Sequence, residues 1–179
     1  MAAIKFFLGF VCLIVINSSG RVFGSNLSSY GHDGHYLAII AAARKEEGVY
    51  ESDVPNSGER IAQYLRYVGI KTPAPWCAAW VSFVFGEAGY SAPKTAWSPD
   101  LFPAKRLVKA VRPGIVFGVY YPSLKRIAHC GIVEEVRNNW VFSMEGNTNV
   151  NGSREGDGVY RRTRHVRSIN RFADWVKNE

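Results

Sequence analysis

Three residue groups in this 179-residue chain have types and an order that could do chemistry: Cys77, His129, and the pair Glu145 and Asn147. Pro73 and Pro75 cannot donate to a helical ladder, so a helix can begin only at Pro75 or just after it. From Ala78 to Ala88 the residues are apolar on nearly every side, interrupted by Ser82, Gly86 and Glu87. A helix that apolar all round is buried, and at about eleven residues it is too short to span a bilayer. Gly89 reads as its stop. Cys77 therefore falls in the first turn, where unpaired backbone N–H groups and the helix dipole favour thiolate over thiol.

A sulfur nucleophile needs an imidazole to take and return its proton, and a third group to orient that imidazole. His129 is the best placed of the four histidines. It sits in Ile127–Val133, which reads as a buried strand, with Ala128 and Gly131 leaving room for the ring to approach a neighbour. His32 and His35 fall in an N-terminal lead-in, and His165 follows a basic strand. Pairing around Asn138-Asn139 brings His129 close to Glu145–Asn147 on the next strand. One polar side chain there can fix the imidazole tautomer, and Glu145 and Asn147 both qualify. Each piece alone has a plainer reading. Cys77 could be a packed small hydrophobe, His129 a structural hydrogen-bond partner, and Glu145 one half of a salt bridge. Helix Cys, strand His, then Glu-x-Asn on the following strand is a more telling combination.

The elements that must position these groups follow from periodicity. Residues 25–33 are rich in Ser, Asn and Gly and read as a flexible lead-in. A first helix is expected over Gly34–Glu47, its apolar face using Leu37, Ile40 and Ala41. A second is expected over Glu59–Val68, capped by Ser57, with Ile61, Tyr64, Leu65 and Val68 inward. The Cys77 helix is the third. Tyr90–Arg106 holds three prolines with Trp97 and Phe102, and reads as an ordered loop walling a cleft. Strands are expected at Ile115–Tyr121, Ala128–Val136, Trp140–Glu145 and Val159–Arg164, with Phe172–Val176 packing back as a short helix. Helices first and a strand meander second is an α+β arrangement.

The first residues read differently. Lys5, the apolar run Phe6–Ile16 and the small residues Ser18-Ser19-Gly20 describe a secretory signal peptide over 1–24, so that 34–179 forms one domain. The expected location is secreted, periplasmic or at the cell envelope, with no membrane span after cleavage. The net charge of +7 falls slightly when Lys5 leaves and stays basic, suiting an anionic polymer or simple solubility. No run of Lys and Arg interleaves with stacking aromatics, so nucleic acid is not the expected partner. Cys12 leaves with the signal, and Cys77 and Cys130 remain. Side chains alternate along a strand, so if His129 faces Cys77, Cys130 faces away and no disulfide is expected. No cofactor or metal is expected. His32-Asp33-Gly34-His35 lacks further ligands, and Gly158 stands where a calcium loop beginning at Asn147 needs its bidentate Glu.

Pro75-Trp76-Cys77-Ala78-Ala79-Trp80-Val81-Ser82, with Glu87-Ala88-Gly89, resembles the nucleophile helix of CHAP-type amidohydrolase/peptidase domains. These belong with the NlpC-type cell-wall hydrolases among papain-like thiol enzymes. Ala128–Val133 resembles their His-x-Gly-Ile-Val strand, and Glu145-Gly146-Asn147-Thr148 their Glu-Gly-Asn-Thr segment. The resemblance implies a papain-like α+β fold, Cys77 as nucleophile, His129 as general base and acid, and Glu145 as orienting group. Asn147 would be a helper or the alternative third member. The implied reaction is amide hydrolysis in peptidoglycan through a thioester. A monomer is expected. Trp76, Trp97 and Phe102 are the aromatics expected to line the substrate cleft. Two other readings stand beside it: an antibacterial toxin or acyltransferase, bringing an immunity or inhibitor protein as partner, and a wall-binding module without catalysis.

Overall fold

Three helices precede the sheet among the described residues: α1 (Leu27–Lys45), α2 (Glu59–Tyr67) and α3 (Cys77–Glu87). The computed structural model describes residues 27–151 and 155–176, so the expected signal peptide and Cys12 lie outside it. No helix among the described residues is long and apolar enough to cross a membrane.

Helix α3 is the centre of the core, as its composition requires. Every residue from Cys77 to Phe85 is buried. Fully burying each of Val81, Val84 and Phe85 contributes about 1.5–3 kcal/mol. Gly89, at φ 92°, turns the chain out of the helix. Ser82 is the polar exception, and its hydroxyl is satisfied. It donates to Thr95 O at 2.9 Å and accepts from Thr95 N–H at 3.0 Å, which pins the following loop to the helix.

Helix α1 begins at Leu27, inside the stretch that composition assigned to a flexible lead-in. Once a buried turn is nucleated, adding residues costs little, so weak helix formers can be carried along. Its inward face also differs from expectation. Tyr36, Ile39, Ile40 and Ala43 are buried, whereas Leu37 and Ala41 face outward. The buried residues keep the i, i+3, i+4, i+7 spacing, one notch round from the expected stripe. His35 is helical, and its Nδ1 lies 2.7 Å from the Tyr90 hydroxyl. Glu46, buried beyond the end of α1, accepts from Tyr64 Oη at 2.5 Å and Arg60 Nε at 2.8 Å, tying α1 to α2. Ser57 does not cap α2. Gly58 holds the N-cap position, and Ser57 Oγ donates instead to Val54 O at 2.6 Å.

The five strands are β1 (Val116–Tyr121), β2 (Arg126–Arg137), β3 (Trp140–Thr148), β4 (Gly158–His165) and β5 (Arg171–Ala173). They form one antiparallel sheet in the order β4-β3-β2-β1-β5. Arg137 pairs with Trp140 across the expected two-residue turn at Asn138-Asn139, with Asn138 at φ 54°. The C-terminal tail corrects one expectation: Arg171–Ala173 is a strand, not a helix. It pairs Ala173 with Val116 and covers the outer edge of β1, which would otherwise present unpaired N–H and C=O groups. Helix α3 packs on the sheet over β2 and β3, so its first turn comes to the middle of the strand order. Helices and sheet together make an α+β domain.

Candidate active site

Cys77 opens α3 with its side chain 6% exposed, and the first N–H groups of the helix have no intrahelical acceptor. Its sulfur lies 3.3 Å from Ser98 Oγ. Ser98 arrives there because the Ser82–Thr95 pair anchors the loop and Thr95 Oγ1 accepts from Trp97 N–H at 2.9 Å, setting up the 3₁₀ turn Ser98–Leu101. Ser98 is itself buried.

The buried Cys130 thiol also acts on the ionisation of Cys77, so the two sulfurs are near one another. The register slips just before His129. Val119 pairs with His129 but Tyr120 pairs with Ile127, leaving Ala128 as an extra residue on β2. A bulge of this kind re-aims the neighbouring side chains. From His129 onward the pairing runs one to one, Cys130 with Gly118 and Gly131 with Phe117, so His129 and Cys130 lie on opposite faces of β2. Both thiols are free.

His129, 6% exposed, approaches Glu145 with Nε2 2.7 Å from Oε2. That leaves Nδ1 as the ring nitrogen for the thiol. Glu145 is fully buried and saturated. Ser143 Oγ donates to Oε1 at 2.7 Å, and Arg164 donates through Nε to Oε1 at 2.7 Å and through Nη2 to Oε2 at 2.5 Å. Ser143 and Glu145 share a face of β3, and β4 lays Arg164 across them. Gly131 makes the close approach possible: a Cβ there would meet Glu145 Cγ at 2.8 Å and the Phe117 ring at 2.7 Å. Its missing side chain makes room for the carboxylate's stem, not for the imidazole as the sequence suggested.

The charges follow from these contacts. The Cys130 thiol donating to it holds the Cys77 sulfur well below the usual thiol range; burial opposes this, and His129 and Ser98 add to it. Burial alone would lower the His129 pKa, but its bonds to Cys77 and Glu145 prevail and raise it to about 9. Burial likewise works against the Glu145 charge, yet His129 and Arg164 bring its carboxyl down to about 2. Cys130 moves the other way: burial and its bond to Cys77 push its thiol well above the usual range, so it stays a neutral donor. These directions favour a thiolate on Cys77 and a proton on His129, with the Glu145 carboxylate behind the ring.

Cys77 and His129 both line a cleft of about 260 Å³, together with Asn56, Tyr121, Arg126 and Asn147 among others. Asn147 does not bond to His129. It is held at φ 53° with Nδ2 3.4 Å from Asn56 Oδ1, so Glu145 is the group that orients the imidazole. The expected aromatic walls divide. Trp76 is fully buried, its indole N–H donating to Glu51 Oε1 at 2.8 Å, because it belongs to the core under α3. Phe102 packs on β1 against Gly118, where a Cβ would meet its ring at 2.6 Å, and does not line the cleft. Trp97 is half exposed and borders the cleft through Arg126, whose guanidinium carbon lies 4.0 Å from its ring centre.

Sequence reasoning missed Ser98, Cys130, Ser143, Arg164 and Arg126. Ser143 and Arg164 carried a legible signal, since cross-strand neighbours of a buried Glu must satisfy it. Cys130 gives a first prediction. Removing its thiol donor in Cys130→Ala should move half-maximal alkylation of Cys77 by iodoacetamide upward by about one pH unit. An unshifted alkylation profile would show that Cys130 does not support the thiolate.

No family model matches the chain, and no curated protein matches it either.

Proposed function

We propose that the chain is an exported cysteine hydrolase that cleaves peptide or amide bonds of bacterial peptidoglycan, with a papain-like arrangement of helix and sheet. The observation that carries this reading is the line of three groups at one cleft, Cys77 beside His129 and His129 Nε2 2.7 Å from Glu145. The Cys77 thiolate attacks the scissile carbonyl, and the N–H groups of the first turn of α3 hold the developing oxyanion. The His129 imidazolium gives its proton to the departing amine, leaving a thioester on Cys77. Neutral His129 then takes a proton from water, whose oxygen attacks the thioester, and expulsion of the sulfur restores the Cys77 thiolate beside the His129 imidazolium. Glu145, fixed by Arg164 and Ser143, keeps the ring in one orientation through both halves. The basic balance of the chain, +7 overall, suits an anionic wall polymer.

The test is digestion of purified sacculi followed by mass spectrometry of the new termini. Muramoyl ends freed of L-alanine identify an amidase, and freed stem-peptide amines identify an endopeptidase. Sacculi left intact by protein whose Cys77 is fully reactive would exclude peptidoglycan as the substrate.

A further inference from the structure

Most arginines that reach across elements in this protein end on a carboxylate. Arg44 and Arg161 meet Glu134, Arg60 meets Glu46, Arg112 meets Asp174, and Arg164 meets Glu145. Arg126 does not. Its guanidinium lies over the Trp97 ring, and Nη1 donates to Ile127 O at 3.1 Å; it has no carboxylate partner among the described residues. Yet Arg126 is half-buried at the start of β2 and lines the same cleft as Cys77 and His129. Glu155 also lines that cleft.

Stacking occupies the face of a guanidinium and leaves its N–H edge available, and it holds the plane in place before a ligand arrives. A planar fork with a free edge is matched to a carboxylate, which it can engage through two parallel hydrogen bonds. Keeping an arginine unpaired beside a reactive centre, when the fold pairs so many others, reserves that edge for something that enters the cleft. We infer that Arg126, backed by Trp97, is a specificity clamp for a free carboxylate on the substrate, carried close to the carbonyl that reaches Cys77. This rests on the hydrolase reading above and narrows it to acidic peptides, as opposed to stems whose carboxylates are amidated.

Two measurements test the clamp, one with turnover and one without. The first compares synthetic muropeptides differing only in a carboxylate or carboxamide beside the scissile bond. The wild type is expected to prefer the carboxylate by roughly 10–100-fold in kcat/KM, carried mainly by KM. In Arg126→Met the ratio should approach one. In Arg126→Lys only part of it should survive, because the charge remains but the fork is lost. The second compares alkylation of Cys77 by iodoacetate and by iodoacetamide. The iodoacetate-to-iodoacetamide rate ratio should fall about threefold in Arg126→Met at low salt. Thermal melting of both variants shows whether they are folded, and Arg126→Lys serves if Arg126→Met is not. A carboxylate preference and an alkylation ratio that both survive the loss of Arg126 overturn the clamp. If the wild type cuts neither peptide while the alkylation ratio still falls, the hydrolase reading fails and the anion site stands.

Discussion

Cys77→Ala and His129→Ala are each expected to lower hydrolysis of muropeptides by at least about 10³-fold while leaving the melting temperature close to that of the wild type. Neither group is needed to hold the core. Cys77→Ala removes one sulfur from a helix whose other residues stay packed. His129→Ala strips one partner from Glu145, but Arg164 and Ser143 still occupy both carboxylate oxygens, so no buried charge is stranded. The pH profile should carry the signature of an ion pair. Activity needs the Cys77 thiolate, which is stabilised well below the usual thiol range, so the acid limb should lie below neutrality. It also needs the His129 proton for the leaving amine, so activity should fall again as that proton is lost near pH 9. A profile that instead rises through pH 8 to 9, as an ordinary thiol ionises, would rule out the pair. Full activity in either variant would remove Cys77 and His129 from the chemistry altogether.

The parts of this site legible in the sequence are those set by local rules. Pro73 and Pro75 fix where α3 starts, the apolar run Ala78–Phe85 fixes its burial, and Asn138-Asn139 fixes the β2–β3 register. Those three facts put Cys77 at the start of a buried helix and bring His129 near Glu145 on adjacent strands. What escaped is what depends on departures from regular geometry or on distant neighbours. The extra residue at Ala128 shifts the register just ahead of His129, a bulge that alternation alone does not show. Ser98 reaches the sulfur through a loop whose path is set by Ser82 and Thr95, contacts with no periodic signature. Trp76 adjoins the cysteine in sequence but does not share its cleft. The turn into α3 sends adjacent side chains to different sides, and the indole goes to the core. The five residues Phe172–Val176 carry too little periodicity to tell helix from strand, and the open β1 edge draws Arg171–Ala173 into the sheet.

Glu145→Ala should be the most damaging single change to the fold at this site, and its effect separates orientation from chemistry. The carboxylate is fully buried and binds His129, Arg164 and Ser143 at once. Deleting it leaves the Arg164 guanidinium, whose side chain is 22% exposed, without its counter-charge. Breaking a buried pair from one side costs about 3–5 kcal/mol, or a melting point lower by roughly 10 °C in a domain of this size. Glu145→Gln keeps the shape and part of the hydrogen bonding, so it should melt higher than Glu145→Ala. It should still lose about 10²-fold or more in kcat, because an amide N–H offered to Nε2 favours the wrong tautomer. The two variants also differ from the wild type in acid. The Glu145 carboxyl sits at about 2 when folded against an ordinary 4.5, so its stabilisation is complete above 4.5 and is lost as pH falls toward 2. Wild-type melting should therefore drop more steeply than that of Glu145→Gln across this window. Parallel acid limbs would mean that the carboxylate contributes no charge to the folded state, and Arg164 would then need another partner.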